Sequence, residues 1–221
     1  MAGLQGTISS TACAWLLLGL LSACGKPAPA SANDAKAKDA ASGEETLKED
    51  AVAAMAKLAG HWVLQGASDG SAEKPKEWHR HAGSGTCMPK GSAGWELAKE
   101  NVYGPDDESV SLFNEGLKTL VTLYTYPARQ DIDAEFEAVQ RDIAGTCTEG
   151  PVMSTVVNDA HYVGCVHRLE NGVLLLEQAV LVQRDKWLYK TRVTFPEPAL
   201  DAAYQPAMSL SGLSFKPCAG S

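Results

Sequence analysis

Residues 162–195, YVGCVHRLENGVLLLEQAVLVQRDKWLYKTRVTF, hold three runs rich in β-branched and aromatic residues, parted by Glu170-Asn171-Gly172 and Arg184-Asp185-Lys186. Branched and aromatic side chains fit a pleated, half-buried surface, and Asn-Gly supplies the positive φ of a tight hairpin turn. The expected structure is an antiparallel meander of Tyr162–Leu169, Val173–Gln183 and Trp187–Phe195. In its last strand Trp187, Tyr189, Thr191, Val193 and Phe195 alternate with Leu188, Lys190, Arg192 and Thr194. A period of two gives that strand one buried side and places Trp187 in the core.

Upstream, Ser109–Phe113 and Lys118–Tyr126 flank Asn114-Glu115-Gly116 and predict a hairpin that Pro127 ends. Ile132, Phe136, Val139 and Ile143 then recur at helical spacing, with Asp131 as the expected N-cap and Gly145 as the expected C′ residue. Nearer the N-terminus, His61–Gln65 reads as a short strand, and 66–94 as a long irregular segment held by Cys87. After Pro196 and Pro198, a helix with Leu200, Ala203, Tyr204, Ala207 and Met208 inward is expected to kink or break near Pro206. The sum is an α+β domain over residues 58–221, an antiparallel sheet of about six or seven strands with two packed helices.

Strands, a helix after Tyr126-Pro127, a meander and a final helix running into Ser211-Gly-Leu-Ser-Phe215 form an order that resembles the extrinsic photosystem PsbP-like group and its bacterial lipoprotein relatives. The resemblance spans roughly Val110–Phe215, is one of pattern, and carries over no functional residue.

The chain opens differently. Thr11–Ala23, TACAWLLLGLLSA, is a leucine-rich run ending in small residues, the layout of a signal peptide over residues 1–23 and too short for a spanning helix of about 20 residues. No Lys or Arg precedes Cys24, a departure from the usual charged start. Leu21-Ser22-Ala23-Cys24 resembles the lipobox of bacterial lipoproteins. That resemblance implies cleavage before Cys24, a diacylglycerol thioether and an acylated N-terminus on it, and, with Gly25 in place of a retaining aspartate, the periplasmic face of the outer membrane. Several acyl chains anchor firmly where one binds only reversibly. Residues 24–57 are then a lipid-anchored linker whose Gly25–Gly43 part is rich in Ala, Ser and Pro and buries too little to order itself. At its end, Leu47, Ala51, Met55 and Leu58 have helical spacing, consistent with a helix leading into the domain or with a frayed end.

A net charge of −8 argues against nucleic acid and against a polybasic membrane patch. Four cysteines outside the leader, Cys87, Cys147, Cys165 and Cys218, suit an oxidising compartment; of three pairings, Cys147–Cys165 with Cys87–Cys218 is preferred because the first closes a compact loop. His79 and His81 would share a face of a strand and are the candidate metal ligands, although no third or fourth ligand stands at regular spacing and Lys74, Lys76, Arg80 and Lys90 crowd them. His161 and His167 share a face of the meander and could act as a base only if Asp159 or Glu177 came within reach. Neither Gly83-Ser84-Gly85 nor Gly91-Ser92-Ala93-Gly94 forms a nucleophile elbow, and phosphate-loop, HExxH, Cys-x-x-Cys and dinucleotide motifs are absent. The expectation is therefore a membrane-anchored, non-catalytic binding or structural protein without a cofactor, partnered by an envelope component; a metal-binding protein and an unrecognised hydrolase are the rivals.

Overall fold

In the computed structural model, residues 48–63, 75, 77–147, 149–214, 216 and 218 are described. The leader, Cys24, the linker up to residue 47, Lys74, Lys76 and Phe215 lie outside them. Among the described residues no helix is long and apolar enough to cross a membrane.

Helix α1 (48–63) buries Ala51, Met55, Leu58 and Trp62, one stripe at 3.6-residue spacing. The strand expected from His61 is thus corrected, because 61–63 continue the helix. Trp62 decides the matter: its indole stacks on Tyr162 at 5.8 Å and donates to Gln178 Oε1 at 2.7 Å, and only one more helical turn brings it there. The stretch from 48 to 57, assigned to the linker by sequence, packs into the core.

The segment expected to be irregular contains a small hairpin, β1 (Trp78–Arg80) and β2 (Cys87–Pro89). Seven further strands form one antiparallel sheet in the order β3-β4-β5-β9-β8-β7-β6: β3 (Glu96–Gly104), β4 (Asp107–Asn114), β5 (Thr119–Pro127), β6 (Glu149–Val157), β7 (Ala160–Arg168), β8 (Leu174–Arg184) and β9 (Trp187–Pro196). Two meanders meet at the β5–β9 seam. The expected hairpin and three-stranded meander are present, and the two strands not anticipated, β3 and β6, are the sheet's edges.

Between the meanders runs α2 (Ile132–Thr146), capped by Asp131, whose carboxylate accepts from the Ala134 N–H at 2.9 Å. Gly145 is not the C′ residue: the helix runs on to Thr146, and Cys147 is extended at φ −102° and ψ 134°. A disulfide from Cys147 to Cys165 on β7, Cα–Cα 5.9 Å, draws the chain off the helix there. The 3₁₀ turn Glu197–Ala199 leads into α3 (Leu200–Ser214), which passes Pro206 without a break. Pro206 faces solvent, so the carbonyl it cannot serve is open to water. The second disulfide, Cys87–Cys218 with Cα–Cα 5.1 Å, ties β2 to the chain beyond α3.

The sheet is a middle layer. Its inner face, including Val193, Phe195, Leu176, Val180, Val121 and Leu123, packs with α1 and α3 in the main core. On the outer face Val163, Cys165, Ala179, Leu181 and Leu188 pack against Phe136, Val139 and Ile143 of α2.

Candidate functional site

The histidines singled out by sequence go to separate surroundings. On β1, His79 has both ring nitrogens engaged, Nδ1 with Glu100 Oε1 at 3.1 Å and Nε2 with Glu108. Both nitrogens are thus turned to carboxylates and neither toward a centre shared with His81. His81 lies just past β1, fully buried, its edge against Trp187 at a ring separation of 4.9 Å. Its Nδ1 accepts from the Ser84 N–H at 3.0 Å and sits 2.9 Å from Ser84 Oγ, while Nε2 is buried without a partner. A serine–histidine contact of this kind escapes motif reading. It lacks the acid that would orient the ring and stabilise an imidazolium, and the backbone N–H already occupies the basic nitrogen.

His161 and His167 do share the outer face of β7, at opposite ends. His161 packs edge-on against Phe136, ring centroids 4.9 Å apart, and its Nδ1 has no partner. His167 lies near Cys147 and Glu177, whose donor atoms fall within 4.8 Å of one another and of its own. The Cys147 sulfur is held in the disulfide, and Glu177 is committed to Arg192 and, at 2.9 Å, to Thr146 Oγ1. Arg192 also donates to Asp142 Oδ2 at 3.1 Å, pinning α2 to the sheet. These groups lock the outer layer. Among the described residues no hydrogen bond joins Asp159 to either histidine.

More of the outer face remains. Helix α2 packs mainly on β6, β7 and β8 and reaches β9 at Leu188 and Arg192; among the described residues no helix covers the outer face of β5, β4 and β3. Register places Tyr124 opposite Lys190, Thr122 opposite Arg192, and Ser111 and Ser109 beside Thr122 and Tyr124. The result is a polar, tyrosine-bearing surface. At its end near the start of α2, a cavity of about 360 Å³ is lined by Tyr103, Tyr124, Tyr126, Pro127 and Lys190 together with Asp107, Arg129 and Glu135. Small-molecule sites begin near that size.

The Lys190 ammonium lies 4.5 Å from the Tyr124 ring centre and 5.8 Å from that of Tyr126. Burial lowers its pKa below the ordinary lysine range, a shift that the Asp142 carboxylate partly offsets. Burial also pushes the Tyr124 and Tyr126 phenols upward, Tyr126 further because Glu135 lies beside it. The other charges are occupied: Tyr126 donates to Glu135 at 3.0 Å, Gln130 donates to the same carboxylate at 3.1 Å, and Arg129 stands 3.9 Å from Asp107.

No protein-family model and no curated protein matches this chain.

Proposed function

We propose that the protein is a lipid-anchored envelope protein whose α+β domain binds an envelope component without catalysing its conversion. What supports the anchor is the local sequence, a leucine-rich leader ending in Leu21-Ser22-Ala23-Cys24, with Cys24 as the lipidated residue and residues 24–47 as the tether. What supports binding is one observation: α2 covers the outer face from β6 to the edge of β9 and no further, leaving a tyrosine-lined cavity beside it, with Glu135 of the helix in its wall. Aromatic side chains supply most of the binding energy where proteins recognise partners, because they bury much area at little entropic cost. The two carboxylates on His79, and the packing of His81 on Trp187 and of His161 on Phe136, favour binding over hydrolysis or metal chemistry, as does the commitment of Cys147 and Glu177 beside His167 to a disulfide and to Arg192.

Mass spectrometry of the mature protein from envelope fractions, wild type against Cys24→Ala, tests the anchor. The expected result is an acylated N-terminal Cys24 in the wild type and a soluble, unacylated variant. An unmodified wild-type chain that stays in the soluble fraction would overturn it.

A further inference from the structure

We propose that the cavity beside Lys190 binds a small organic monoanion, a carboxylate carried on a flat apolar body. This rests on the reading of the open outer face as the binding surface and adds the ligand's chemistry. Lys190 carries three N–H donors, yet among the described residues it has neither a hydrogen-bond nor an ion-pair partner; its ammonium stands over the Tyr124 and Tyr126 rings, with the Asp142, Glu135 and Asp107 carboxylates acting on it from farther off. A half-buried ammonium without an acceptor is costly, and a ligand oxygen at that point supplies what the fold withholds.

The unpaired charge of the site sets the charge of the ligand. Arg129 stands against Asp107, Arg192 is held by Glu177 and Asp142, and Glu135 receives Tyr126 and Gln130. Glu135 is met by neutral donors alone, so the lining holds two cations and two carboxylates and has no net charge; Lys190 is the cation in it without an ion-pair partner. A monoanion matches that ammonium, whereas a dianion such as phosphate would place its second charge near Asp107 and Glu135. The body of the ligand is set by the walls. Tyr124, Tyr126 and Tyr103, the last 60% exposed on edge strand β3, are three of its lining residues, so aromatic rings bound much of the space. The cavity's roughly 360 Å³ suits one aromatic acid, not an extended polymer.

Titration calorimetry of the purified full chain in detergent, with benzoate and its neutral isostere benzamide as probes, tests the assignment. Benzoate is expected to bind at least tenfold more tightly than benzamide, and Lys190→Met, which keeps the apolar stem, is expected to erase that preference while benzamide binding stays as it was. The benzoate–benzamide comparison on the wild type stands even if the variant misfolds, and Tyr103→Ala, on an exposed edge, gives a second variant expected to weaken both probes. Equal binding of the two probes, failure of benzoate to bind at millimolar concentration, or a preference that survives in Lys190→Met would each overturn the ligand assignment. Lipidation at Cys24 and crosslinking of the open face to an envelope component read independently of that result, so the binding function stands or falls separately.

Discussion

On its inner face the sheet presents Val193, Phe195, Leu176 and Leu123 to α1 and α3, and the largest fully buried side chains, among them Trp62, Tyr162 and Tyr204, gather there. On its outer face the apolar cluster is smaller and stops where α2 stops, at Leu181 and Leu188. Beyond it the same strands carry serine, threonine, tyrosine, lysine and arginine. A sheet needs one well-covered face to be stable; the second need be covered only in part, and the uncovered part is free to carry recognition. On the proposed reading stability and binding separate by face, and substitutions should too.

Truncating the inner face should cost most. Phe195→Ala is expected to lower unfolding stability by about 4 kcal/mol in urea titrations, the range for a fully buried phenylalanine; a loss under about 1 kcal/mol would mean the inner layer is not the principal core. Next comes the staple on the covered outer half. Replacing Cys147 and Cys165 together by alanine, which opens a crosslink between positions 18 apart, should cost about 3 kcal/mol, read from the same titration.

A subtler test probes how closely α1 lies on β7. A Cβ at Gly164 would stand 2.9 Å from Trp62 Cζ2, 3.0 Å from Leu58 Cδ2 and 3.1 Å from the Glu177 carbonyl oxygen. Gly164→Ala should cost about 2 kcal/mol through overpacking, with a shift in tryptophan emission as Trp62 moves; an unchanged spectrum and stability would show the helix seated less closely.

Inner-face tyrosines sharpen the contrast through pH. Burial pushes the Tyr162 phenol up to about 12, and Tyr204 is raised for the same reason. A raised folded-state pKa contributes stability in full below the unfolded value of about 10, and that contribution is lost as pH climbs through about 12. Melting temperature should thus fall across that alkaline window. Tyr162→Phe should flatten the fall, and at neutral pH it should be neutral or stabilising by about 1 kcal/mol, since the Tyr162 hydroxyl has no partner. Smallest of all should be Leu120→Ser on the open half, within about 0.5 kcal/mol of wild type in urea titration.

The sequence made the centre of the sheet legible and its margins obscure. Strands β4, β5, β7, β8 and β9 announce themselves by branched and aromatic runs because their inner faces are buried. β3, with sequence ELAKENVYG and mostly exposed, has the charges that protect an edge from further pairing and so lacks the pattern that reveals a strand. The other edge, β6, begins with Glu149-Gly150-Pro151, a start that reads as a turn, and register slips between Glu149 and Met153. Trp62 shows the opposite failure, where a short β-like run yielded to the helical stripe of the residues before it. At the candidate site, Lys190 and Tyr124 were each legible as strand residues, but their meeting depends on the β5–β9 seam, which joins segments 66 positions apart. Likewise His79 finds Glu100 on the unanticipated β3. The cysteine pairing was legible because loop length alone favours it, and the structure holds both disulfides.

Site-specific photocrosslinking in cells that make the protein most directly tests whether the open half of the outer face is the binding surface. A photoreactive residue at Tyr103 or Leu120, on the open half, would be compared with one at Val63, 71% exposed on α1. The account predicts discrete adducts at Tyr103 and Leu120 and none at Val63. Adducts at Val63 alone, or equal labelling at all three positions, would contradict it.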